Sequence, residues 1–210
     1  MALLSTAKSF GSLRVRTPPV ATGLRIGVMG GSFNPPHEGH RIVATTAMKR
    51  LGLDAVWWLV TPGNPLKSNG RLPSLSARMA ACRKLASHPR MHVTGFEAEL
   101  GASYTAVTLA FLRRRHPGVR FVWLMGADNL AGFHRWQDWR SIARTMPIAV
   151  VDRPSWRLEA MASRTAHAMG RLRISEARAR CLRSPGWVML STRLSEASST
   201  AIRAGRPSDL

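Results

Sequence analysis

The sequence predicts a single α/β domain built on a parallel sheet wound over on both faces. Three observations carry that expectation. Strand-length runs alternate with stretches of helical spacing through most of the 210 residues. Each strand run is apolar at consecutive positions, as strands covered from both sides are. Hydrophobic residues make up 45% of the chain, enough for a full core in one domain of ordinary size.

Residues 1–23 contain no acid, no apolar core of a secretory leader and no helical period. They are expected to form a disordered N-terminal extension, with Pro18-Pro19 as a stiff linker before a domain spanning 24–210. Leu24–Met29 then reads as a strand entering Gly30-Gly31. From Gly39 to Leu51 the apolar residues Ile42, Val43, Ala47, Met48 and Leu51 fall at helical spacing. Ala55–Val60 is an unbroken apolar strand ended by Thr61-Pro62-Gly63. Ser74 suits the N-cap of a helix running to Ala86, and Met91–Val93 is a short strand. Ser103–Arg115 predicts a helix stopped by Pro117-Gly118, its closing Arg113-Arg114-Arg115 favoured by the negative helix end. Arg120–Met125, Pro147–Val151 and Trp187–Leu190 read as three further strands, and Ser198–Ala204 as a short final helix. Trp57, Trp58 and Trp123 belong to strand runs and are expected in the core. Right-handed crossovers join such strands into a doubly wound, Rossmann-like sheet. Its ligands sit beyond the C-terminal strand ends, here just after Met29, Val60 and Met125.

Composition excludes several classes. No apolar stretch is long enough to span a bilayer. Cys82 and Cys181 make neither a disulfide framework nor a zinc site, and two free thiols suit a reducing cytoplasm. Lys+Arg 31 against Asp+Glu 11 leaves +20, which attracts polyanions. Only Lys8, Lys49, Lys67 and Lys84 are lysines, and the arginines are scattered as on a solvated surface.

The chemistry concentrates in Met29-Gly-Gly-Ser-Phe-Asn-Pro-Pro-His-Glu-Gly-His40. It is neither a dinucleotide fingerprint nor a P-loop. Its two glycines let a backbone approach a ligand closely, and the helix beyond aims free N–H groups at the same place. His37 and His40 are three apart at the start of that helix and share a face. Ser198-Ser-Thr-Ala-Ile-Arg203 offers a second Ser/Thr-rich helix start with an arginine one turn on. Two anion sites suit a triphosphate.

These two motifs resemble the nucleotidyltransferase superfamily with the His-x-Gly-His signature. The intervening motifs narrow the resemblance to bacterial nicotinate-nucleotide adenylyltransferases. They are Thr61-Pro-Gly-Asn-Pro-Leu-Lys67, Phe96-Glu-Ala-Glu-Leu100, Ser103-Tyr-Thr105 with Thr108-Leu109, and Gly126-Ala-Asp-Asn-Leu130 followed by His134-Arg-Trp136. The likeness covers about residues 24–206.

The resemblance implies adenylyl transfer from ATP to nicotinate mononucleotide, giving deamido-NAD and pyrophosphate. It implies that Gly30, Gly31, Ser32 and Phe33 line the ATP phosphates and the facing mononucleotide. His37, His40 and Lys67 would contact the triphosphate, and Ser199, Thr200 and Arg203 would hold it from the other side. Gly126 and Asp128 would bind adenosine. Tyr104, Thr105 and Trp136 would form the pyridine pocket. Mg²⁺ would arrive on ATP, with no metal site of the protein's own. The mononucleotide phosphate is already an anion, so the reaction needs no general base, and the residues offer no Ser-His-Asp or Cys-His set. Members usually carry Asp where this chain has Val107, and often Asp at the Asn34 position.

Two other readings remain open at this level. One is adenylyl transfer to phosphopantetheine or to nicotinamide mononucleotide. The other is a basic nucleic-acid binder on the same scaffold, which accounts for the charge but not for two intact phosphate motifs. The expected partners are the two substrates, no membrane, nucleic acid at most non-specifically, with a homo-oligomer left open.

Overall fold

The computed structural model describes residues 15–63, 72–101 and 104–192. Seven strands form one parallel sheet in the order β3-β2-β1-β4-β5-β7-β6. They are β1 (Arg25–Gly31), β2 (Ala55–Val60), β3 (Met91–Thr94), β4 (Arg120–Gly126), β5 (Ile148–Val151), β6 (Arg173–Ile174) and β7 (Trp187–Leu190). The order reverses at β1: β2 and β3 lie to one side, β4 and β5 to the other. That reversal opens a crevice between the C-terminal ends of β1 and β4.

The helices are α1 (Glu38–Leu51), α2 (Leu75–Leu85), α3 (Phe96–Leu100), α4 (Thr105–Arg115), α5 (Ala127–Gly132), α6 (Trp139–Thr145), α7 (Arg157–Ala162) and α8 (Arg164–Ala168). Their cores lie on opposite faces of the sheet. One holds Trp57, Trp123 and Trp187 with Phe111, Leu112, Phe133 and Ile142; the other holds Trp58 and Leu124 with Val43, Ala47, Leu51 and Cys82. The three tryptophans expected in the core are all fully buried.

The expected strands and the two long early helices are present with shifts of one or two residues. Ser74 caps α2 by accepting from Ala77 N–H at 3.2 Å. The helix expected from Ser103 starts at Thr105, with Tyr104 as its N-cap. Unanticipated are α3, β6 and the helical stretches between β4 and β5 and between β5 and β7. These helices are five to seven residues long, too short for a 3.6-residue period to register. The expected final helix at 198–204 lies outside the described residues.

Residues 15–23 of the expected extension differ from a disordered tail. Val15 is buried in the core beneath α4, with Val20 against the same cluster. Arg16 N–H donates to Glu99 at 3.1 Å, Thr17 Oγ1 lies 3.3 Å from His116 Nε2, and Gly23 N–H donates to Gly118 at 2.8 Å. The Pro18-Pro19 pair therefore lies within a segment strapped along the domain. Residues 1–14 lie outside the described residues.

Candidate active site

Strand β1 ends in Gly30-Gly31 at the crevice. A Cβ on Gly30 would stand 2.6 Å from the Trp123 ring, so only glycine lets β4's tryptophan close under the turn. Phe33 follows with φ 47°, a left-handed conformation costly for a non-glycine residue. Its buried ring repays this, stacking on Trp58 at 5.5 Å and meeting the His40 ring at 4.8 Å.

His37 is the N-cap of α1, and His40 lies one turn in. The His37 backbone N–H donates to His40 Nδ1 at 3.2 Å. That bond assigns the His40 proton to Nε2, making that nitrogen a donor. The two rings approach to 3.8 Å between centroids. His37 is 6% exposed, and burial, seconded by the Arg153 cation, lowers its pKa to about 4. It is neutral at pH 7, so at this end of the site His37 offers an uncharged ring beside the N-terminus of α1.

Across the crevice, Gly126 ends β4 and serves as N-cap of α5. Asp128 stands in that helix's first turn and pairs with Arg153 at 3.2 Å. A Cβ on Gly126 would collide with the Asp128 carboxylate. His37 Nδ1 and Asp128 Oδ1 are both buried without a protein hydrogen bond. Buried polar atoms of this kind are normally satisfied, so the two mark where a polar ligand would be accommodated.

The structure thus brings together Gly30, Gly31, Ser32, Phe33, His37 and His40 on one side of the crevice and Gly126 and Asp128 on the other. Trp136 stands edge-on to Trp123 at 6.1 Å and to Phe133 at 5.2 Å, beside the same strand ends. Tyr104 is 41% exposed at the N-terminus of α4, with Thr105 opening the helix. Lys67, Ser199, Thr200 and Arg203 lie outside the described residues. Thr192, the last described residue, has its Oγ1 2.7 Å from Thr46 Oγ1 on α1.

Sequence reasoning missed Arg153. Its signal was its place: two residues beyond the strand read as Pro147–Val151, at the end of the sheet where ligands collect. Arg157 pairs with Asp152 at 2.6 Å, so both carboxylates at this end already face an arginine.

Comparison with known proteins follows the same lines. The cytidylyltransferase-like family model matches residues 28–205. A protein of Agrobacterium fabrum named "Probable nicotinate-nucleotide adenylyltransferase" is 55% identical over 181 residues, covering 85% of this chain and 97% of its own. One of the same name from Rhizobium meliloti is 53% identical over 186 residues, covering 87% and 99%. Among solved structures, the fold is similar to that of Plasmodium falciparum nicotinic acid mononucleotide adenylyltransferase complexed with NaAD. That match has a TM-score of 0.66 at 16% identity, covering 86% of this chain and 83% of the other.

Proposed function

The chain belongs to the cytidylyltransferase-like family and, within it, to the nicotinate-nucleotide adenylyltransferases, and from that membership we propose how its residues carry the reaction. It is a nucleotidyltransferase that moves the adenylyl group of ATP to nicotinate mononucleotide, forming deamido-NAD and pyrophosphate in NAD biosynthesis. The observation that carries the residue assignment is the pair of buried, unpartnered atoms, His37 Nδ1 and Asp128 Oδ1, on the two sides of one crevice at the β1/β4 reversal.

The mononucleotide phosphate attacks the α-phosphorus of ATP in line. It enters as an anion, so catalysis is positioning plus neutralisation of the charge that grows on pyrophosphate. Gly30, Gly31, Ser32 and Phe33 present backbone to the phosphates. His40, through Nε2–H, donates to the departing charge, and neutral His37 supports it. Asp128 and Gly126 take the adenosine side. Lys67, Ser199, Thr200 and Arg203 complete the phosphate ligands on the strength of their motifs. Mg²⁺ arrives on the nucleotide. Asp128 and Asp152 each face an arginine, so phosphate oxygens and water fit as its shell better than a protein cage.

Tyr104, Thr105 and Trp136 form the pyridine pocket. Trp136 stacks on the ring but cannot tell acid from amide, because both have the same flat face. Discrimination falls on the N-terminus of α4. Its N-cap Tyr104 makes no side-chain cap bond, its first turn holds no acid, and Val107 stands where the motif it resembles usually has Asp. Orphan N–H groups and the positive helix end favour a carboxylate and oppose an amide's N–H₂. Two free thiols, Cys82 and Cys181, fit a reducing compartment, and the proposed location is the cytoplasm. Among the described residues no helix is long and apolar enough to cross a membrane.

The test is pyrophosphate release with ATP and each mononucleotide. The expected result is a higher kcat/KM for nicotinate than for nicotinamide mononucleotide. Equal values, or preference for the amide, would sink the acceptor assignment.

A further inference from the structure

Arg78 is buried, 3% exposed, yet no carboxylate pairs with it among the described residues. Its guanidinium is spent entirely on backbone carbonyls. Nη1 donates to Ser32 at 2.8 Å and to Thr61 at 2.7 Å. Nη2 donates to Pro62 at 3.3 Å and Nε to Pro73 at 2.9 Å. One side chain on α2 therefore holds three separate pieces of chain: the turn after β1, the loop after β2, and the residue before its own helix cap.

Stability alone is a poor account of this residue. Desolvating a guanidinium is costly, and an apolar side chain of similar length would fill the space at less expense. What an apolar side chain cannot do is hold carbonyl oxygens in a chosen direction. The Ser32–Phe33 peptide is trans, since the cis bonds among the described residues are Asn34–Pro35 and Ser184–Pro185. In a trans peptide the N–H points opposite to the C=O. The Ser32 carbonyl points to the β2 side of β1, where Arg78 and the Thr61–Pro62 loop lie. The Phe33 N–H therefore points away from Arg78 and the Thr61–Pro62 loop. The left-handed φ of Phe33 makes the peptide flip a competing state, and the Arg78–Ser32 bond opposes that flip.

We propose that Arg78 is a positioning residue: by gripping the Ser32 carbonyl together with those of Thr61 and Pro62, it turns the Phe33 N–H into the crevice as a phosphate donor. It touches no substrate itself. The inference rests on the adenylyltransferase reading only in taking ATP as the natural anion.

The experiment measures binding of ATP, inorganic tripolyphosphate and adenosine to the wild-type protein and to Arg78→Met and Arg78→Lys, with Tm followed in parallel. Arg78→Met is expected to weaken ATP and tripolyphosphate by about 10- to 100-fold, the range for one hydrogen bond to a charged group, and to leave adenosine within about twofold. In turnover the loss appears first in KM for ATP. Arg78→Lys, which keeps a donor but not the fork, recovers part of the loss. Equal losses for adenosine and ATP, or no loss in either, would overturn the proposal. Should both variants fail to fold, the ¹⁵N-labelled wild type decides. The Phe33 amide is expected to shift downfield on adding tripolyphosphate and to stay put with adenosine; an unmoved amide overturns the proposal. A wild type that binds tripolyphosphate in this way but releases no pyrophosphate with nicotinate mononucleotide would refute the acceptor reading and leave the positioning role standing.

Discussion

His40 draws its orientation from its neighbour's backbone: the His37 N–H holds its Nδ1 and leaves Nε2 as the donating edge. A contact that strengthens as charge moves to the leaving group appears in kcat more than in KM. His40→Ala is therefore expected to lower kcat by roughly 10²–10³-fold, the scale of one preorganised donor, with a smaller change in KM for ATP. Near-normal turnover in the folded variant would remove it from the mechanism.

Glu97 belongs to the same scale but a different task. It is 7% exposed beneath α4, accepts from Thr108 Oγ1 at 2.6 Å, and burial raises its pKa to about 7. The folded state thus keeps a proton that the unfolded chain loses from its ordinary carboxylate pKa upward. Its stabilising contribution is full at acid pH and is lost as pH rises through about 7. Glu97→Gln mimics the protonated acid at every pH. Melting curves are expected to show the variant gaining on the wild type by several °C between about pH 5 and pH 8. A constant difference would contradict the assignment. His37 and His40 were legible in the sequence because a strand, two glycines and a helix start converged on them. Arg78 and Glu97 were not, because a buried charge on a helix reads like any surface charge until its partners are known.

At the scale of elements, the long runs were readable and the short ones were not. β2 is six buried residues in a row, and α1 carries its apolar stripe over nearly four turns. By contrast, α5 to α8 offer less than two turns each, and their packing on one another supplies the signal that the local pattern lacks. Residues 15–23 escape a local reading for a related reason. Their contacts, Val15 in the core, Arg16 with Glu99 and Thr17 with His116, reach 83 to 99 residues along the chain and leave no local period. The comparison is between truncations that remove residues 1–14 and 1–23. Removing 1–23 exposes the cluster that Val15 and Val20 cover, a loss of about 2–4 kcal/mol, or roughly 5–10 °C in Tm. Equal melting of the two truncations would show that the strap contributes nothing.

For the molecule as a whole, the charge of +20 is the property most easily over-read. Among the described residues four ion pairs are formed, and Arg25 and Arg78 turn inward to carbonyls. Along the sequence the remaining arginines are scattered, with Arg113-Arg114-Arg115 as one compact run. DNA duplexes of unrelated sequence are therefore expected to bind with equal, weak affinity, falling linearly in log K with log salt. Sequence-selective binding that survives physiological salt would favour a nucleic-acid role instead.

Arg25 has a further consequence, for the order in which the chain becomes a domain. Its guanidinium donates to Leu51, but also to Arg180 at 2.7 Å and to Leu182 at 3.1 Å, 155 and 157 residues downstream. On a ribosome that span takes on the order of ten seconds or more to emerge. Until it does, the nascent β1–β2–β4 core carries a cation that only part of the finished protein can satisfy. β1 is synthesised before the other six strands of the sheet, yet its arginine is satisfied in full only by residues beyond β6. Arg25 acts as a buckle between the two ends of translation, withholding full stability from any chain released before residue 182.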